Sequence, residues 1–360
     1  MAMKIESPEG VEALTEFVQF YDQVYEYRSA RWSASVEMQM PLLTGESADC
    51  EDRIFKPLVV RESGEIVARA AAVVDNRYHR HWHERLGHIV MFEAMPNSRE
   101  AVKLLIDAAC EWLQGKGTEA ARTGFGLGLL DMPFVIDDYE SLPPALVRQN
   151  PAYYHGLLKD AGFESEKGWV DYKIKVTPEL TERYASALEA ARRSGVEIVP
   201  LSAVPESRRV REFNDTFNDA FRYHWGLAPL TDAQWSETFS HFAGVGILDT
   251  SVLAYRGSEP IGMLVVIPEL TAEAVATLPR TIQESEKLNI LGIGVRSTHR
   301  GEGVNLAMAS YAFLELIRRG ATWLSYTMVL DDNWPSRHTG EKLGAFVCAN
   351  YMVYRRNFRR

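Results

Sequence analysis

Apolar positions along this chain fall into two kinds of stretch. Short blocks alternate or run together as strands do, and longer stretches repeat at three and four residues as amphipathic helices do. The pattern predicts a strand–polar turn–strand hairpin over residues 58–68 and another over 252–262. It predicts a long helix over 99–114 and another over 306–319. A helix ending at glycine, then a strand with a tyrosine ten residues past that glycine, occurs twice, as Gly162 with Tyr172 and as Gly344 with Tyr354. Between the copies, Thr177-Pro178-Glu179 ends a strand, residues 180–193 read as a linking helix, and Gly195 leads to a new strand over 196–200. These repeats predict a tandem α/β protein with units at 1–177 and 178–360.

The copies differ at one turn. In the second half, a strand over 289–295 runs through Arg296-Ser297-Thr298-His299-Arg300-Gly301-Glu302-Gly303-Val304-Asn305 into the 306–319 helix. Two glycines at such a turn let backbone approach a ligand, and the new helix aims its unpaired N–H groups and positive dipole end there, which suits phosphate or pyrophosphate. The same turn serves equally as a plain tight connection. It holds no Gly-Lys-Ser or Gly-Lys-Thr and no third glycine, so neither a Walker loop nor a dinucleotide fingerprint is present. After the strand over 87–95, the first half reads Pro96-Asn97-Ser98-Arg99-Glu100, with no glycine and an acid at the helix start.

Arg300-x-x-Gly303-x-Asn305 resembles the acyl-CoA pyrophosphate loop of the GNAT superfamily of N-acyltransferases. The downstream order is similar to that family as well: a strand over 321–330, Asn333 at a helix start, Glu341-Lys342-Leu343-Gly344, and a last strand over 346–354. Gly64 to Arg69, Asn150 to Tyr154 and Tyr223 to Thr231 further resemble bacterial tandem-GNAT proteins of undefined substrate. The resemblance implies two tandem GNAT-like units, each a mixed, mostly antiparallel sheet flanked by helices. It implies acetyl-CoA or another acyl-CoA bound in the second half only, the first unit being degenerate and without a CoA loop. Ile293, Gly294 and Val295 would lie beside the pantetheine, and Arg300, Gly301, Glu302, Gly303, Val304 and Asn305 at the pyrophosphate. Asn305 departs from the family's Gly or Ala. Asn333 matches an Asn beside the pantetheine arm and is equally a plain helix cap.

The implied activity is N-acyltransfer to a small amine by direct attack on the thioester. Many GNAT enzymes carry a leaving-group tyrosine just before Glu-Lys-Leu-Gly, and here that position is Gly340. His338, Tyr326 and Tyr351 are the substitutes within reach in sequence, although packing or exposure accounts for each as well. The strand before the loop carries no carboxylate; Glu284 and Glu286 precede it. Tyr223, His224 and Trp225 fall where the superfamily shapes its acceptor pocket, or form a loop anchored by Trp225. The alternative to an enzyme is a non-catalytic CoA-binding or sensor protein, which Gly340 favours and the glycine loop does not.

Composition narrows the partners. A net charge of −10 over 360 residues argues against a general nucleic-acid or anionic-membrane surface. Cys50, Cys110 and Cys348 are odd in number and widely spaced, which implies no disulfide frame, no zinc site and no acyl-enzyme in the motif region. With no signal-type or membrane-spanning stretch, cytoplasm is the default. His79, His81 and His83 alternate in what reads as an exposed loop, where a metal would need further ligands. Gly124 to Gly128 reads as a flexible bend. Neither the acceptor nor the oligomeric state is legible.

Overall fold

The computed structural model describes residues 3–127, 131–269, 275–277 and 280–358. The first half supplies strands β1 (Met3–Glu6), β2 (Ala30–Trp32), β3 (Arg53–Glu62), β4 (Glu65–Asp75), β5 (Leu86–Ala94), β6 (Ala120–Thr123), β7 (Phe134–Val135) and β8 (Glu164–Lys175). The second supplies β9 (Val196–Pro200), β10 (Val252–Arg256), β11 (Glu259–Ile267), β12 (Val275–Thr277), β13 (Ile290–Val295), β14 (Trp323–Leu330) and β15 (Phe346–Asn357). Both hairpins form as patterned, β3 with β4 and β10 with β11. The first turns on Ser63 and Gly64, both at positive φ (56° and 96°), as a two-residue turn matched to strand twist requires.

The two units exchange their last strands. The large sheet runs β1-β3-β4-β5-β6-β15-β8-β14, with β7 paired to β15. Thus β15, from the end of the chain, lies against β6 of the first unit, and β8, from the first half, lies against β14 of the second. Between them β15 and β8 pair antiparallel from Phe346↔Lys173 to Arg355↔Glu164. The second unit's remaining strands form a separate sheet, β13-β11-β10-β9, and β12 pairs with β2 across the halves.

Helices cover the sheets as their apolar stripes dictate. The helix Arg99–Gly115 buries Val102, Leu105, Ile106 and Leu113 on the first unit's sheet. The linking helix Pro178–Arg193, capped by Thr177, packs with the helix Val304–Arg318 over Val170, Ile174, Leu324 and Tyr326. On the opposite face of the second sheet, Phe213, Phe217, Trp235 and Phe239 make a separate core. Among the described residues no helix is long and apolar enough to cross a membrane.

Two local readings change. The three-histidine stretch is the helix Asn76–Trp82, not a loop, because the Asp75 side chain accepts from the Tyr78 N–H at 2.9 Å and caps it. The rings of His79 and His81 each bond a backbone carbonyl, of Leu86 and Arg222, at 2.7 Å. The bend at Gly124 is held by its N–H donating to Asp131 (2.9 Å), and Gly126 lies so close to His88 that a β-carbon would sit 2.3 Å from the ring. Gly128 of that run lies outside the described residues.

Candidate active site

The glycine turn leaves its donors open. Gly301 and Gly303 hold φ of 85° and 77°, and an added β-carbon at either would meet nothing within 4 Å. Glycine is therefore demanded here by backbone conformation, not by crowding from the protein. Among the described residues the N–H groups of Gly303, Val304 and Asn305 find no hydrogen-bond partner, and Ala307 N–H donates to the Gly303 carbonyl at 3.1 Å. The other polar groups of the turn act as struts. Arg300 donates to the Ala220 carbonyl at 2.9 Å, and Glu302 is neutralised by Arg256 at 2.6 Å with His299 at 3.4 Å. Asn305 turns sideways: its amide donates to Thr339 at 2.7 Å and its oxygen accepts from Leu306 N–H at 2.9 Å. It ties the loop helix to the helix Trp334–Lys342 and does not fill the space above the N–H groups.

Beside the loop, β13 and β14 run in the same direction and separate. Among the described residues, the hydrogen bonds that join them run through side chains. Asn289 exchanges two bonds with the Ser325 backbone (3.0 and 2.9 Å), and the Thr327 hydroxyl bridges the N–H and C=O of Leu291 (2.9 Å each). Beyond that bridge Ile293, which shares Leu291's edge by the two-residue period, presents its N–H and C=O to the gap. Ile293 and Val295 are half-buried at the mouth of the gap. Gly294 faces the other way, and a β-carbon there would press on Ala220 and Phe221 at 2.8 Å.

Titratable groups lie on β14 and on its neighbour β8. On the helical face, Tyr326 packs against Gly340, whose β-carbon would touch the ring at 3.4 Å, so Tyr326 takes the side of the missing tyrosine. Its hydroxyl bonds Ser336 at 2.9 Å, and Ser336 N–H is capped by Asn333 at 3.3 Å. Burial pushes the Tyr326 hydroxyl up to about 12, so it carries its proton at neutral pH. His338 is exposed and stands 6.4 Å ring to ring from Trp334, apart from this cluster.

On the opposite face is a residue that the sequence did not flag. Asp171 of β8 lies opposite a bulge in β14 between Tyr326 and Val329, where Met328 adopts φ 51°. The bulge redirects the Met328 N–H to the Asp171 carboxylate, and the Tyr351 hydroxyl donates to the same carboxylate at 3.2 Å. Asp171 is 2% exposed; burial pushes it up to about 6 despite these two donors. Asp171, Lys173, Leu288, Ser325, Cys348 and Tyr351 line a small cavity together with first-half residues that include Val135, Arg148 and Gln149. Asp171 comes from the first half, and only the strand exchange brings it here. A single acid inside the apolar run Gly168-Trp169-Val170-Asp171-Tyr172 was the one available sign.

The predicted acceptor residues separate. Tyr223 is 84% exposed. Trp225 stacks on Phe125 (5.9 Å, 13°) under the Arg122 guanidinium (4.3 Å), fastening its loop to the first unit. His224 packs 5.7 Å from Trp169, and burial pushes it down to about 4. None of the three lines the Asp171 cavity.

No known family model matches the chain. Its similar relatives include protein YghO of Escherichia coli (20% identical over 334 residues, 87% of this chain and 84% of that protein). Another is a bacterial ceramide synthase of Caulobacter vibrioides (21% over 313 residues, 81% and 80%). Among solved structures, a tandem GNAT protein from the clavulanic acid biosynthesis pathway superposes with a TM-score of 0.61 at 11% identity, covering 99% of this chain and 98% of that one. A GCN5-related glucosamine N-acetyltransferase region in a fungal multi-domain β-N-acetylglucosaminidase gives 0.60 at 14% identity; 98% of this chain matches 38% of that protein.

Proposed function

The chain has the tandem GNAT fold, and from its site we propose that it is an acyl-CoA-dependent N-acyltransferase that binds CoA in its second half and acylates a small amine by direct attack. The observation that carries this reading is the row of open N–H groups at Gly303, Val304 and Asn305, set on two positive-φ glycines beside the unpaired edge of Ile293. The acyl-CoA supplies the activated acyl group. Gly303 to Asn305 hold its pyrophosphate, and Ile293 pairs with its pantetheine amides. Arg300, Gly301, Glu302 and Val295 shape the approach, and Asn333 orients Ser336 beneath Tyr326. Asp171, ionised above pH 6, takes the proton of the incoming amine. Tyr351 holds Asp171 in place. Tyr326 gives a proton to the departing sulfur from the face where Gly340 leaves room. The Caulobacter relative's name fits this chemistry, since a ceramide is an amide.

Gly340 alone would favour a binding protein without catalysis; Tyr326 beside it favours the enzyme. The two separate in one experiment. CoA and acyl-CoAs of increasing chain length should raise the melting temperature, and free thiol should then appear only when an amine panel is added. Stabilisation without thiol release would leave the sensor reading; no stabilisation by any CoA species would remove both.

A further inference from the structure

The first unit contains a cleft that the acyl-transfer reading does not use. It is a cleft of about 170 Å³ that opens to solvent. Its walls are apolar and aromatic, with Tyr21, Trp32, Met38, Met91, Met132 and Leu146 among them. Four polar side chains that also line it have unfilled hydrogen-bonding capacity. The side-chain oxygens of Gln39 and Gln149 are buried without a donor, and Gln149 is only 2% exposed. Glu93, 4% exposed, accepts from Tyr25 (3.0 Å) and Tyr154 (2.7 Å) through one oxygen only; its other oxygen has Arg148 no nearer than 4.0 Å. Arg69 Nε is a buried donor without an acceptor among the described residues.

The cations are already engaged. Arg148 donates to the carbonyls of Phe92 and Met132 (3.1 Å each) and to Asp131 (3.4 Å). Arg69 donates to the Phe17 carbonyl and lies 4.7 Å over the Phe17 ring. What remains buried and unmet is the amide oxygens of Gln39 and Gln149 and the Nε of Arg69, beside a Glu93 oxygen that Arg148 approaches no closer than 4.0 Å. Leaving such groups unmet in a buried site costs about 1–3 kcal/mol each, which a ligand that met them would recover. A primary ammonium brings three donors and a positive charge. A bulge at Met91, which sits at φ 54° opposite Ala70, places Glu93 directly across from Arg69 at the base of the cleft.

We propose that this cleft of the first unit binds a primary amine with an apolar body, its ammonium on Glu93, Gln39 and Gln149 and its body along Met38, Met91 and Leu146. The site is separate from the glycine loop. Arg148 and Gln149 also line the Asp171 cavity, so a bound amine would lie one residue layer from it.

Titration calorimetry of the full chain with n-octylammonium, n-octanoate and n-octanol tests this without any acyl-CoA. Octylammonium should bind, octanoate and octanol should not, and Glu93→Gln should weaken octylammonium binding about tenfold or more. Leu146→Trp fills the cleft without touching the Glu93 network and should abolish binding in a folded protein, as read by circular dichroism. Gly303→Glu and Asp171→Asn should leave it unchanged, which keeps this site apart from the acyl-transfer reading. Tighter binding of octanoate, retention of octylammonium affinity in Leu146→Trp, loss of it in Asp171→Asn, or no binding of octylammonium would each overturn the proposal.

Discussion

Asp171 is a charge that the fold holds at a cost. Its folded value of about 6 lies above the ordinary 3.8, so the folded chain binds this proton more tightly than the unfolded chain does. The sign follows: well below 3.8 both states are protonated and the cost is absent. It grows as pH rises from about 4 to 6, to at most about 3 kcal/mol, and levels off above that. Asp171→Asn removes the charge, keeps an acceptor for the Met328 N–H and offers the Tyr351 oxygen an amide donor in place of an acceptor. It should therefore raise the melting temperature at pH 7.5 and change it little at pH 4. Turnover should fall about a hundredfold or more, and the rise of kcat/KM through pH 6 should vanish. A variant that is less stable at pH 7.5 and as active as the parent would remove Asp171 from the mechanism. Tyr326→Phe should lower kcat about tenfold or more with little change in the KM for acyl-CoA, whereas His338→Ala, at an exposed position, should change neither.

The loop and the splayed strands carry the same argument at the scale of elements. Because the space over Gly303 is open but its φ is 77°, Gly303→Ala fits sterically and is strained, costing about 1–2 kcal/mol. Gly303→Glu adds a carboxylate where phosphate would lie. It should abolish CoA binding in calorimetry while the circular dichroism spectrum stays native; undiminished affinity would show that the turn is only a connection. This part of the molecule was legible in sequence because its signals are local. Turn glycines and the 3.6-residue periodicity of the helices depend on neighbours a few residues away, and Pro178–Arg193 and Val196–Pro200 form close to where the pattern places them. Of the proposed acid and base, Tyr326 was among the candidates that the sequence offered and Asp171 was not. Tyr326 stands beside Gly340, and Asp171 beside Tyr351, only through tertiary contact. A strand's alternation specifies which face is buried but not which strand lies at its edge.

At the scale of the molecule, the exchange of β8 and β15 determines what can fold alone. The two strands occupy corresponding places in the repeat, and either unit would accept either strand by pattern. The chain pairs each with the other half, and cross-unit contacts secure the choice. Arg355 of β15 bonds Glu84 (2.5 Å) and Glu166 (3.2 Å), Arg356 bonds Asp107 (2.8 Å), and Lys167 of β8 bonds Asp332. Residues 178–360 expressed alone would lack β8, exposing along β14 a row of unpaired backbone groups and the apolar face of Val329 and Leu330. That half should be recovered mainly as aggregate. Residues 1–177 alone would lack β15 between β6 and β8 and should fare no better. Coexpressed, the two halves should assemble into a soluble complex that melts in one transition, as should the intact chain, because the large sheet is built from strands of both halves. Two separated calorimetric transitions in the intact chain, or a soluble, cooperatively folding second half that binds CoA alone, would show that the exchanged strands are not needed by the site. The prediction reaches function as well: if Asp171 is the base, acyl transfer needs a strand from the first half, and no second-half fragment should turn over whatever its affinity for CoA.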